Sequence, residues 1–229
     1  MSPPAAAVLL AAGNGTRVGA ELNKVLLPVA GIPILARSVR TVLEVTGVHR
    51  LVLVVRPEDR DAVGEAVSPH LGAHDLWLVD GGAHRHASEW QALRTLAPDI
   101  EDDEIDVVAI HDAARPLASE SLWRSVIDTA AELGAAIPVQ QMPQLSHRNG
   151  SVAAHGLVGV QTPQAFRARD LLAAHRRAAE EGYVGTDTAS VLERYSDVTV
   201  HGVPSTAANL KVTFPEDVVL AESLLSRLR

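Results

Sequence analysis

Two glycines and two cations follow one apolar run near the start of the chain: Val8-Leu9-Leu10-Ala11-Ala12 leads into Gly13, Asn14 and Gly15, then Arg17 and Lys24. Glycines let a chain turn sharply out of a buried strand and bring its amide N–H groups against an anion. Arg17 and Lys24 can neutralise that anion, so the chemistry expected here is the cradling of phosphate groups. The loop is neither of the two best-known glycine-rich types. A Walker A loop needs Lys-Ser/Thr directly after its last Gly, where this chain has Thr16-Arg17, and a dinucleotide fingerprint needs a third Gly where Arg17 and Val18 stand. The competing reading is a plain strand-to-helix turn with a solvated Arg and Lys. Lysine occurs only at positions 24 and 211, and each lies beside a motif.

Further groups able to do chemistry lie in three later stretches. Asp80-Gly81-Gly82 is followed by Arg85 and Ser88, the run His111-Asp112-Ala113-Ala114-Arg115-Pro116 ends another apolar segment, and Lys211 stands near the C-terminus. Each has a plainer alternative. Asp112 could cap a helix or turn, and Arg85 and Arg115 could form structural ion pairs at a sheet edge. His84 and His86 alternate as ligands on a strand might, but with no third ligand nearby in sequence they read as a solvated turn. His111 reads as a packed histidine at the core edge, and Glu89-Trp90 as helix packing only.

The elements that must hold these groups follow from the apolar pattern. With 229 residues, 47% hydrophobic but 3% aromatic, the core must be built from Ala, Val and Leu, the mix of parallel strands covered by helices. Strands are expected near residues 51–55, 76–79, 107–110, 135–139 and 198–203, besides the first. Helices are expected over 32–45, 57–67, 87–96, 119–133, 169–181, 186–195 and 215–228. Residues 98–106 read as an acidic surface loop and 209–212 as a short edge segment, and Thr213-x-x-Glu216 reads as a capping box. This alternation implies right-handed crossovers, a mainly parallel sheet and a single domain over 1–229, with ligands at the carboxyl ends of the strands. Residues 140–159 are polar and weakly alternating. They are expected to form a projecting hairpin whose open edges want a second subunit.

The net charge of −8 argues against nucleic-acid or anionic-membrane partners. A small anionic substrate needs only a local cluster of cations, for which Arg17, Lys24, Arg85, Arg115 and Lys211 are candidates. No apolar run reaches membrane-spanning length and residues 1–7 lack a basic region, so a soluble, cytoplasmic protein is expected. The absence of cysteine excludes disulfides and thiolate metal sites.

Seven stretches in order resemble one family across nearly the whole chain: Ala11-Ala12-Gly13-x-Gly15-x-Arg17, Lys24, Asp80-Gly81-Gly82 with Arg85 and Ser88, the His111 to Pro116 run, Thr162-Pro163-Gln164, Thr186-Asp187-x-Ala189-Ser190, and Lys211-Val212-Thr213 with Pro215-Glu216-Asp217. The resemblance is to the cytidylyltransferases that include the 2-C-methyl-D-erythritol 4-phosphate and ribitol 5-phosphate enzymes. It implies a doubly wound, Rossmann-like nucleotidyltransferase fold with a protruding β-arm that forms a homodimer. It also implies a reaction joining CTP to a phosphorylated polyol with loss of pyrophosphate. On that resemblance Arg17, Lys24 and Lys211 are the catalytic cations, with Lys211 at the α-phosphate. Ala11, Ala12, Gly13, Gly15, Gly81, Gly82, Arg85, Ser88, Asp112 and Ala113 bind the nucleotide, and Asp112 carries Mg²⁺. Met142, Ala154, Thr162, Thr186 and Asp187 fall where the acceptor is held.

Five positions in four places depart from the family pattern. Asn23 replaces a Pro, Ala83 an Asp beside the cytosine pocket, Gln141-Met142 an Asp-Thr pair, and Ala154 an Arg. Ala83 leaves base selectivity open, with a nucleotidyltransferase for a different base as one rival reading. Gln141-Met142 and Ala154 alter the acceptor half, which leaves another polyol or sugar phosphate or phosphonate, or a non-catalytic nucleotide-binding paralogue, as rival readings.

Overall fold

The structure is a computed structural model that describes residues 2–13, 23–142 and 157–227. Gly15, Arg17 and Ala154, and most of the expected arm, lie outside the described residues. The strands are β1 (Ala5–Leu10), β2 (Pro28–Val29), β3 (Ile32–Pro33), β4 (Val48–Val55), β5 (Trp77–Asp80), β6 (Val107–Asp112), β7 (Ala135–Gln141), β8 (Val158–Val160), β9 (Gln164–Arg167) and β10 (Val200–Pro204). The helices are α1 (Ile34–Glu44), α2 (Arg60–Val67), α3 (Arg85–Glu101), α4 (Glu120–Leu133), α5 (Ala168–Glu181), α6 (Thr188–Tyr195) and α7 (Pro215–Arg227).

The main sheet has the order β10-β7-β9-β6-β1-β4-β5, with β8 added beside β7. All its neighbours pair parallel except β9, which runs against both β6 and β7, and β8, which runs against β7. Successive residues of a strand point to opposite faces, and β1 divides accordingly. Ala5, Ala7 and Leu9 join the core beneath α1 and α4, while Ala6 and Val8 join that beneath α3 and α5. Both faces are therefore dry and covered, which is why β1 reads as an unbroken apolar run. From β1 the chain crosses to β4 on one side, and β6 pairs on the other, which leaves a crevice at the carboxyl ends of the central strands.

The arm begins as expected. Gln140 and Gln141 of β7 pair antiparallel with Gly159 and Val158 of β8. Ser119 caps α4 by accepting the Leu122 amide, also as expected.

Three expectations fail. The segment 98–106 is not all loop, because α3 runs through Pro98 to Glu101. Proline cannot donate to the preceding turn, but Ile100 is fully buried in the same core as Leu96, and Asp99 pairs with Arg50 at 2.7 Å. Those two attachments hold the last turn. Residues 209–212 form no strand, and Val212 instead gives one backbone hydrogen bond to the Ala114 carbonyl. At α7 the cap is shifted by one residue from the Thr213-x-x-Glu216 pattern. The helix begins at Pro215, so the third helical residue is Asp217, and its carboxylate accepts the amides of Thr213 and Phe214.

If burial of Ile100 carries α3 past its proline, Ile100→Ala should lower the unfolding free energy by about 2–5 kcal/mol in urea denaturation. A loss below about 1 kcal/mol would show that the last turn is not part of the core.

Candidate active site

The carboxyl ends of β1, β4, β5 and β6 open onto one cavity of about 420 Å³. Its rim is built from strand exits tied to neighbouring strands: Ala11 donates to the Val54 carbonyl, Gly81 to Val55, and Ala113 to Leu10. Ala11, Ala12, Gly13, Lys24, Gly81, Gly82, Arg85, Ser88, Asp112 and Lys211 all line this space, so residues from five separate stretches of the chain converge.

The double glycine is required by close approach. A Cβ on Gly81 would stand 2.5 Å from the Cβ of Ala12, and one on Gly82 would stand 2.4 Å from that of Ala87. The Gly82 amide donates to the Ser88 hydroxyl oxygen at 3.1 Å, which locks the turn onto the first turn of α3. The resulting wall of Ala12, Gly81, Gly82 and Ala83 is flat and small. Asn23 gives the position before Lys24 a different anchor from a proline. Its side-chain amide donates to the Ala11 carbonyl at 2.9 Å and to Asp59 at 2.7 Å, and its oxygen accepts the Val25 amide. The half-buried Lys24 is thereby held against the exit of β1.

Asp112 is the electrostatic centre. One carboxylate oxygen pairs with the Arg85 guanidinium and the other accepts from Lys211 Nζ at 2.7 Å. Burial alone would raise its pKa, but Arg85 and Lys211 outweigh burial and hold the carboxyl well below the usual carboxylate range. Arg85 also approaches Glu89 Oε1 at 2.9 Å, off the N–H axis, an ion pair rather than an aligned hydrogen bond. Of the remaining lining charges, Arg56 and Glu58 pair with each other. The lining carries four cations, Lys24, Arg56, Arg85 and Lys211, and two carboxylates, Glu58 and Asp112, a balance that suits an anion.

A polar layer lies behind Asp112. Its amide donates to the Thr162 hydroxyl oxygen at 3.0 Å, and that hydroxyl meets His111 Nδ1 at 2.9 Å, while His111 Nε2 meets the Arg115 carbonyl at 3.1 Å. The Arg115 carbonyl can only accept, so Nε2 carries the proton and Thr162 donates to Nδ1. Arg115 donates to the Asn209 carbonyl at 2.7 Å, and the Asn209 side chain donates to Gln161 Oε1 and to the Thr162 carbonyl. This network carries the segment that bears Lys211.

Some expected site residues stand elsewhere. Ala113 is fully buried in the core, and its neighbour Ala114 lines the cavity instead. Thr162 is buried, with its hydroxyl committed to Asp112 and His111, so it supports the site from behind and is not on the cavity lining. Asp187 caps α6 by accepting the Ser190 amide, and its charge raises the Arg85 pKa, so it lies on the same side of the site. Thr186 is exposed beside it, with its hydroxyl 3.4 Å from Ser190 Oγ. Met142 is 42% exposed at the base of the arm, away from the cavity lining.

Two readings of α3 are overturned. His86 is buried rather than on a solvated turn, and Glu89 is a fully buried carboxylate that binds Arg85 and accepts from Thr188 Oγ1 at 2.8 Å. His175 of α5 faces both. No local pattern announced these three, because their meeting depends on how two helices pack.

A family model for 2-C-methyl-D-erythritol 4-phosphate cytidylyltransferase matches residues 5–227. A protein of that name from Shouchella clausii is 36% identical over 97% of this chain and 96% of its own length. One from Cereibacter sphaeroides is 39% identical over 96% of each. Among solved structures, 4-diphosphocytidyl-2C-methyl-D-erythritol synthase from Anaerococcus prevotii superposes with a TM-score of 0.83 at 25% identity, over 98% of this chain and 97% of that one. The Francisella tularensis cytidylyltransferase shares the fold with a TM-score of 0.78 at 22% identity, over 96% and 99%.

His111 yields a pH prediction. Burial pushes its pKa down from 6.5 to about 4. The folded protein thus binds fewer protons than the unfolded chain between these values, and stability present above pH 6.5 is lost as pH falls toward 4. Denaturation midpoints should fall over that window, and His111→Asn should flatten the fall. An unchanged slope in the variant would rule His111 out as its source.

Proposed function

The chain belongs to the 2-C-methyl-D-erythritol 4-phosphate cytidylyltransferase family, and on that premise we propose that it transfers the cytidylyl group of CTP to 2-C-methyl-D-erythritol 4-phosphate. The acceptor's phosphate oxygen forms a bond to the α-phosphorus of CTP, the α–β bridging P–O bond breaks, and pyrophosphate leaves. Such a reaction needs placement and neutralisation of charge more than covalent help from side chains. The observation that supports it most directly is the cavity in which Arg85 and Lys211 grip one carboxylate, with Lys24 on the same lining and a wall of small residues beside them.

In this reading Ala12, Gly81, Gly82 and Ser88 receive the pyrimidine on the wall of small residues. Lys24 and Arg17 hold the β- and γ-phosphates. Lys211, carried on the loop braced by Asn209, moves its ammonium from Asp112 to the α-phosphate as charge develops there. Asp112 then keeps Arg85 in place.

Mg²⁺ fits these residues only in company with the nucleotide. Both oxygens of Asp112 already face cations, so a metal reaches the carboxylate when the triphosphate draws Lys211 away. One carboxylate plus phosphate oxygens is a donor set that Mg²⁺ accepts, and the ion would supply further neutralisation of the phosphate charge. A cytoplasmic location goes with these substrates.

A second reading concerns the acceptor. Met142 and Ala154 put a thioether and a methyl where the family places a hydroxyl and a guanidinium, so the phosphate clamp of the acceptor is altered while the CTP half is kept. We propose a homodimer as well. Met142, Leu157, Val158 and Val160 are all exposed at the base of the arm, at 42–51%, an apolar surface beside an open strand edge that a second copy can cover.

Pyrophosphate release from the four nucleoside triphosphates with a panel of polyol phosphates should favour CTP. Lys24→Ala and Lys211→Met should each lower kcat/KM at least about 100-fold, on the order of 2.7 kcal/mol, while circular dichroism still reports a folded protein. Met142→Thr with Ala154→Arg should raise kcat/KM for methylerythritol phosphate about tenfold. Near-native turnover by either lysine variant would refute the assignment, and efficient native use of methylerythritol phosphate would refute the altered acceptor half.

Sedimentation at micromolar concentration should give a dimer, and deletion of residues 143–156 a monomer. A full-length monomer would remove the dimer proposal.

A further inference from the structure

Beneath the first turn of α3, on the side away from the cavity, three ionisable side chains meet in the core. His86 and Glu89 are three residues apart on α3, and His175 reaches them from α5. Glu89 and His175 are fully buried and His86 nearly so. His86 Nδ1, Glu89 Oε2 and both ring nitrogens of His175 are buried without a hydrogen-bond partner among the described residues. One ligand atom from each residue lies within 4.8 Å of the others. A buried polar atom without a partner costs about 1–3 kcal/mol, so four in one place point to an occupant.

The simpler explanations do not satisfy the set. A direct His175–Glu89 hydrogen bond would span 3.8 Å, too long for one, and would leave His86 Nδ1 unpaired. A single water, giving two protons and accepting one N–H, can serve three of these four atoms and leaves the fourth unpaired. Burial lowers the pKa of both His86 and His175, so the two rings are neutral and each has a nitrogen lone pair. The other oxygen of Glu89 is taken by Arg85 and Thr188, which leaves Oε2 facing the histidines.

We propose that His86, Glu89 and His175 bind one divalent transition-metal ion of the Zn²⁺ type, as a clamp between α3 and α5. Two imidazoles and one carboxylate suit Zn²⁺ or Co²⁺ and are a poor set for Mg²⁺ or Ca²⁺. Metal–ligand bonds of about 2.0–2.2 Å in a tetrahedral site place ligand atoms roughly 3.3–3.5 Å apart. The cluster must therefore draw in from its present spacing. The rings of His86 and His175 are stacked at 4.8 Å and 12°, and rotation about their broad terminal torsions brings the lone pairs onto a common point. Since Glu89 holds Arg85 through its other oxygen, the ion would fix the far end of the chain Glu89–Arg85–Asp112. The inference is independent of the substrate reading.

The test uses untagged, full-length protein. After chelator treatment and desalting, titration with Co²⁺ should give tetrahedral visible absorption saturating near one equivalent per chain, reversed by Zn²⁺, and Zn²⁺ should raise the melting temperature. His86→Gln and Glu89→Gln should each weaken Co²⁺ binding at least about 100-fold, more than loss of an outer partner costs. His74→Gln, an exposed histidine elsewhere, should change nothing. Glu89→Gln and His86→Gln are both read only where circular dichroism matches the native protein, and either suffices. Absence of stoichiometric Co²⁺ absorption in the native protein, or its persistence in a folded variant, overturns the site.

Discussion

The buried carboxylate of Asp112, gripped by Arg85 on one oxygen and Lys211 on the other, is the interaction on which the rest of the site depends. Its position at the end of β6 would by itself push it toward the neutral acid, and the two cations reverse that. Three parts of the chain are fixed by it: the start of α3, the end of the central strand, and the C-terminal segment 99 residues further on. Removing either cation leaves the buried carboxylate one counter-charge instead of two, a loss that solvent around the partly exposed Lys211 reduces. The fold thus has a stability reason to keep these cations together, separate from anything they do for a ligand.

What keeps that carboxylate in register is a second polar layer rather than the apolar core. Thr162 receives the Asp112 amide and gives its proton to His111, and Asn209 and Gln161 tie the Thr162 backbone to the loop that carries Lys211. Ser205 closes the network on Gln161 at 2.7 Å. Most of these atoms find partners inside the protein, so the layer is stiff in the way a satisfied buried network is. It also explains why Thr162 lies near the site without facing it.

The wall formed by α3 serves two purposes. Its outward turn holds the glycines and Ser88 against the cavity, and its inward face carries Glu89 and His86 where apolar residues would ordinarily pack. Arg85 belongs to both, since it touches Asp112 on one side and Glu89 on the other. Conditions at the buried cluster therefore bear directly on the guanidinium that steadies the site. Burial pushes the Glu89 pKa up to about 7 despite Arg85 and Thr188, which marks how unfavourable an unpaired charge is at that depth.

The residues near one another in sequence determined a good deal by themselves. Apolar runs alternating with helical periods specified a mainly parallel, two-faced sheet. Glycines at strand exits located the crevice, and the order of motifs pointed to a nucleotidyltransferase, because turn chemistry and periodicity are local properties. The continuation of α3 past Pro98 was decided by tertiary packing, since Ile100 and Asp99 find their partners on other elements. So was the inward turn of Thr162, and so was the pairing of Asp112 with Arg85 and Lys211, which are 27 and 99 residues away. The cluster of His86, Glu89 and His175 was invisible for the same reason. A charge or an imidazole acquires its pKa and its partners from what surrounds it in space, and only the order of strands and the docking of helices supplies those surroundings.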